Sequence, residues 1–150
     1  MARLVVPAVG ERRIVSLFGS AATALVVGRG VHLGALTGVL ADRYGQRPAV
    51  EDPGATPGLH AGGVRSFRAL EDAVARLAAA HRHFGAAAGE RVLIVVDNRI
   101  DVVLHMFALA RLGALPVPVN ARLSGPELAA VARAAGAARA VGDDEVLPTL

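Results

Sequence analysis

The chain has 150 residues, 53% of them hydrophobic, and a formal net charge of +3. That length suits one domain burying about two-thirds of its unfolded surface, and the apolar fraction implies faces meant to be covered by something else. With no cysteine, disulfides, thiolate metal sites and thiol nucleophiles are excluded.

All 16 basic residues are Arg, spread from Arg3 to Arg139 without a dense run. The absence of Lys removes a P-loop lysine, Schiff-base chemistry and a lysine to stabilise a transferring phosphate. The aromatics are four Phe and one Tyr, with no Trp. A nucleic-acid binder usually shows a basic patch with stacking rings, so nucleic acid is not an expected partner.

Residues 1–30 read as an apolar N-terminal extension. Its core, residues 14–28, carries no charge and falls short of the roughly 20 residues of a membrane span. A buried or capping helix is the simplest reading; an anchor on a membrane surface is another. Arg12-Arg13 before the apolar run is a weak twin-arginine hint.

From Leu33 the pattern is regular. Leu33, Leu36, Leu40 and Tyr44 fall on one helical stripe that Gly45 ends. Pro48 to Glu51 is a short strand, and the Gly/Pro-rich loop after it leads to a second at Val64 to Phe67, as in a loose hairpin. A helix follows from about Phe67 to Phe84, capped by Ser66, with Leu70, Val74, Leu77 and Phe84 on one face. Asp72 and Arg76 are spaced as an ion pair on its wet face.

Arg91 to Val96 is a near-continuous run of Val, Leu and Ile, the composition of a strand covered on both faces. The helix from about Arg99 to Leu112 is apolar almost all round, which predicts cover on two sides. Leu115 to Val119 is the next strand, and Pro116 and Pro118 suggest an edge position or a strand used only briefly. Ser124 and Glu127 form a capping box for a helix with Leu128, Val131, Ala132 and Ala135 inward. Gly136 ends it, and Ala138 to Val141 is a last strand. This alternation predicts an α/β fold, a layered parallel sheet with crossover helices.

Little in the chain looks like chemistry. Gly28, Gly30 and Gly34 around a helix start, with Glu51 further on, imitate a dinucleotide fingerprint. The spacing is one residue too long, and a flexible joint explains the glycines as well. His81 and His83, two apart on a helix, point to nearly opposite sides and cannot share one metal. His105 has no carboxylate three or four residues after it. Asp143, Asp144 and Glu145 lack the alternate spacing of a calcium loop. No Ser-His-Asp triad is apparent.

Four segments, in order, carry a resemblance. They are Arg43 to Val50 (RYGQRPAV), Ser66 to Leu70 (SFRAL), Gly89 to Val92 (GERV), and Leu109 to Ala114 continuing through Pro118, Val119 and Asn120 into Leu123. Together they resemble the N-terminal part of the AMP-binding, acyl-adenylate-forming enzymes, the acyl-CoA synthetases and their relatives. Ser66, Phe67 and Ala69 replace three positions of that family's first core motif. Asn98 sits at the Asn of its Pro-Asn-Ser-Pro-Glu phrase, with Asp97 in place of Pro.

The resemblance implies that residues 31–150 are an incomplete N-terminal portion of the AMP-binding domain, part of the enzyme's large domain. It implies a parent that activates a carboxylic acid with ATP to an acyl-adenylate, then forms a thioester with CoA. ATP, Mg and CoA are thus implied for the full-length enzyme, and none for this stretch alone. The family's phosphate loop and catalytic Lys have no counterpart here, so no catalytic residue carries over and the chain is expected to be inactive alone. Asn98 and Asn120, at strand ends where such sheets place ligands, are the candidate substrate-binding residues; as polar turn caps they also have a purely structural explanation. The expected partner is the remainder of the enzyme. The apolar segments favour a fatty acyl substrate and a cytoplasmic protein that touches a membrane surface through residues 14–28. The competing readings are a small dinucleotide-binding module and a membrane-surface or partner-binding protein.

Overall fold

The computed structural model describes residues 3–4, 32–52, 63–97 and 99–142. In chain order the elements are β1 (Arg3–Leu4), α1 (Leu33–Tyr44), β2 (Pro48–Asp52), β3 (Gly63–Ser66) and α2 (Phe67–His83). They continue with β4 (Arg91–Val95), α3 (Ile100–Arg111), β5 (Leu115–Pro118), α4 (Gly125–Ala135) and β6 (Arg139–Gly142).

The hydrophobic run of β4 lies at the centre of a parallel sheet ordered β5-β4-β6. Alternate side chains of a strand face opposite ways, and here each face has its own helix. Val92, Ile94 and Val96 pack with Leu109 of α3, while Leu93 and Val95 pack with Leu128 of α4. The five residues Val92 to Val96 are all buried, which is why this run lacks the alternation of a half-wet strand. Burying each such side chain contributes about 1.5–3 kcal/mol. The proline-bearing β5 pairs only with β4 among the described residues, where a missing N–H is tolerated.

Helix α3 is covered on two sides, as its composition predicts. Ile100, Leu104 and Ala108 face a second core with Phe67, Leu70, Val74 and Ala78 of α2 and Ala49 and Val50 of β2. That core rests on an antiparallel sheet ordered β1-β2-β3. The hairpin was legible in the sequence; the added strand at Arg3–Leu4 was not.

Local signals explain the ends of the helices. Ser66 Oγ accepts from Ala69 N at 3.1 Å. At α4, Glu127 Oε2 accepts from the Ser124 backbone N–H at 2.8 Å and from the Ser124 hydroxyl at 2.7 Å. These two bonds hold the Glu127 carboxyl below the usual carboxylate range. Gly136 closes α4 in the left-handed conformation, φ 63°.

Three expectations need correction. Phe84 does not join Leu70, Val74 and Leu77 on the buried face of α2: it is the C-cap residue after the last turn and is 75% exposed. The fully buried residues of α1 are Gly34, Thr37 and Ala41; of the predicted stripe, Leu40 and Tyr44 pack against the edge of the core, while Leu33 is 43% exposed. The helix turns its small residues inward because α3 approaches closely there. A Cβ on Gly34 would stand 2.5 Å from Ala110 O and from Arg111 Cα. Asp72 and Arg76 are both exposed, and no ion pair joins them among the described residues. The acid of α2 that matters is the preceding residue, Glu71.

Residues 14–28, Gly28, Gly30, Asn98 and the acidic run at 143–145 lie outside the described residues. Among those described, no helix is long and apolar enough to cross a membrane.

Candidate functional site

The carboxyl ends of parallel strands are where open α/β sheets hold ligands. Here the ends of β4 and β5, with the start of α3, border a groove of about 750 Å³. Its apolar walls are Val96, Val102, Pro118 and Val119, and its polar groups are Asp97, Arg99, Asn120 and Arg122. The sequence candidate Asn120 therefore lies in the groove. Its Oδ1 accepts from the Arg122 backbone N–H at 2.9 Å, closing the turn that leads to α4. The residue thus lines the groove and caps a turn at once.

The groove's charges are held by local geometry. Arg99 N donates to Asp97 O at 2.7 Å, which turns the chain from β4 into α3. The Arg99 guanidinium then reaches forward to Asp101, Nε to Oδ2 at 2.9 Å. Asp101 is 1% exposed and sits in the first turn of α3, where a carboxylate is favoured by the helix dipole. The arrangement can wall and orient a ligand. Among the described residues no three His, Asp or Glu side chains converge on a metal position.

A second cavity, of about 330 Å³, opens beside β4 where α2, α3 and β6 meet. Leu77, Phe84, Val92 and Val141 line it together with two histidines. His81 Nε2 and His105 Nδ1 are 2.9 Å apart, so one ring nitrogen donates to the other. The pair is not visible in the sequence because 24 residues separate its members; along the chain His81 stands beside His83 instead. The only available signal was a His on the inner face of an apolar helix, at His105.

The third cluster ties helices together. Arg111 Nη2 donates to Glu71 Oε2 at 2.6 Å and to Thr37 Oγ1 at 3.1 Å, and Arg111 Nε donates to Gly34 O at 3.2 Å. Thr37 Oγ1 donates to the same Glu71 oxygen at 2.7 Å. Burial would raise the Glu71 pKa. The bonds from Arg111 and Thr37 and the charges of Arg111 and Arg68 outweigh it and hold the carboxyl below its ordinary value.

The dinucleotide reading does not gain from the geometry. Glu51 stands on β2, flanked by two antiparallel neighbours, whereas the fingerprint needs it at the end of a parallel strand.

A family model described as AMP-binding enzyme matches residues 39–149. The chain belongs to the AMP-binding enzyme family. Crotonobetaine/carnitine–CoA ligase from Salmonella typhi is 38% identical over 64 residues, covering 43% of this chain and 12% of that relative. The chain thus spans a small fraction of that relative's length. The fold is shared with a long-chain-fatty-acid-CoA ligase from Archaeoglobus fulgidus, at TM-score 0.68 and 23% identity over 79% of this chain and 24% of that one. It is shared equally with the N-terminal domain of FACL13 from Mycobacterium tuberculosis, at TM-score 0.65 and 21% identity over 79% and 28%. The AMP-binding match takes in both halves of the groove and the whole of α2, α3 and α4.

Proposed function

We propose that this chain is the opening part of an acyl-CoA synthetase, with residues 31–150 an incomplete N-terminal portion of the AMP-binding domain and residues 1–30 an apolar extension. The observation that carries the reading is the family match over 39–149, with relatives named as CoA ligases. The whole enzyme would join a carboxylic acid to AMP, release pyrophosphate, and pass the acyl group to CoA. We place it in the cytoplasm, with the remainder of the enzyme as the partner of these residues.

The donor set of the groove does not by itself fit Mg–ATP. Asp97 is the one carboxylate that lines the groove, beside Arg99 and Arg122, and no Lys is present to neutralise charge on a transferring phosphate. ATP, Mg and CoA therefore belong to other parts of the enzyme in this proposal. Asn98 and Asn120 are the residues we assign to binding the acid or its adenylate, Asn120 from the wall of the groove and Asn98 on the family resemblance alone. The relatives are named for acids as different as carnitine and long-chain fatty acids; the apolar groove walls favour a fatty acid here.

ATP–pyrophosphate exchange tests the reading. The purified 150-residue chain should give no exchange, and the same residues continued into the rest of an adenylate-forming enzyme should exchange with fatty acids. Exchange by the 150-residue chain alone would overturn the division of labour. Preference for a short polar acid would overturn the substrate class.

A further inference from the structure

The His81–His105 contact joins α2 to α3 at the mouth of the smaller cavity. The rings meet edge to face, with centroids 5.0 Å apart and planes at 63°. His105 is 6% exposed. We infer that this pair is a pH-sensitive latch: with one proton between the rings or an added single charge it holds α2 against α3, and with both rings charged it opens the cavity beside it. This inference is independent of the acyl-activation reading.

The chemistry follows from proton counting. Two neutral imidazoles share one N–H···N bond. A single added proton strengthens that bond, because an imidazolium donates to a neutral ring. A second proton leaves two donors and no acceptor, with like charges about 3 Å apart, and the contact becomes repulsive.

The surroundings of the pair set the sign. From α3, Asp101 lies one turn before His105 and is engaged by Arg99. From α2, the neighbours Arg82 and His83 are exposed. From β4 the facing residue is Val92, which is uncharged. From β6 comes Arg139, whose Nε donates to Glu90 at 2.6 Å and whose Nη1 donates to Phe84 O at 2.9 Å. The carboxylate on this side is thus committed to an arginine, and the arginine adds positive charge near the rings. Burial also holds the His81 pKa below its ordinary value. A base whose folded pKa is lowered contributes stability that is full above its unfolded value, about 6.5, and is lost as pH falls below it.

The test is the thermal midpoint of the 150-residue chain from about pH 7.5 to about pH 5, with and without His81→Gln. The wild-type midpoint should fall by about 5 °C more than that of the variant, and binding of a dye specific for exposed apolar surface should rise over the same range only in the wild type. Parallel profiles would overturn the latch. If His81→Gln does not fold, titration of the imidazole C2 protons in the wild type decides. Two coupled steps separated by about one pH unit or more support the pair; two independent steps near the ordinary imidazole value overturn it.

Discussion

Arg111 Nη2 on α3 lies 2.6 Å from Glu71 Oε2 on α2, and Thr37 of α1 donates to the same oxygen at 2.7 Å. Three helices therefore meet on one carboxylate. Both members of the ion pair are largely withdrawn from water, at 25% and 17% side-chain exposure. Removing one partner strands the other, so Glu71→Ala should cost about 1–3 kcal/mol. Chemical denaturation of Glu71→Ala, Arg111→Ala and the double variant measures the coupling. A coupling near zero would show that the helices are held by packing alone.

The same carboxylate predicts an acid limb. Its folded pKa is below the ordinary value, so its contribution is complete above about pH 4.5 and is lost as pH falls through the lowered folded value. Between about pH 5 and about pH 3, Glu71→Gln should lose less stability than the wild type. A steeper loss in the variant would refute the assignment.

Gly34 and Gly38 offer a paired test on one helix. A Cβ at Gly34 would stand 2.5 Å from backbone atoms of α3, whereas at Gly38 it would meet the Glu71 carboxylate at 3.7 Å, an ordinary contact. Gly34→Ala should destabilise by about 1–3 kcal/mol through overpacking. Gly38→Ala should be neutral or stabilise by up to about 1 kcal/mol through helix propensity. Melting curves of the two variants check the order; the reverse order would displace α1 from its position against α3.

Leu128 is fully buried and anchors α4 to the face of β4 that carries Leu93 and Val95. Leu128→Ala should cost about 2–5 kcal/mol. Hydrogen exchange should show the loss first in α4 and β6 and last in α2, because the core of α2 lies on the other side of α3. Uniform loosening would mean that the two cores open together.

Asn120 tests the groove. In an enzyme that contains these residues, Asn120→Ala should raise KM for the acid more than it lowers kcat, since a wall residue contributes binding and not charge development. The turn it caps should weaken by about 1 kcal/mol. A change in stability with unaltered KM would reduce Asn120 to a turn cap.

Much of this molecule was legible before any coordinate. The uninterrupted run at Val92–Val96 announces a strand covered on both faces, and the all-round apolar α3 announces a helix between two cores. Ser66, Ser124, Glu127 and Gly136 mark helix ends through bonds formed within a few residues. The ordered family segments, from the RYGQRPAV phrase to the Asn120 turn, pointed to the AMP-binding family.

The amino-acid sequence alone determined what local physics controls: periodicity, turn chemistry, caps and the absence of thiol and lysine chemistry. Only the tertiary structure decided which small residues of α1 face inward, that Glu71 rather than Asp72 carries the ion pair, and that His81 meets His105. Those outcomes depend on contacts between residues 24 to 77 positions apart. Such pairs form only after the helices pack, and the closeness of that packing at Gly34 leaves no trace in the periodicity of either helix.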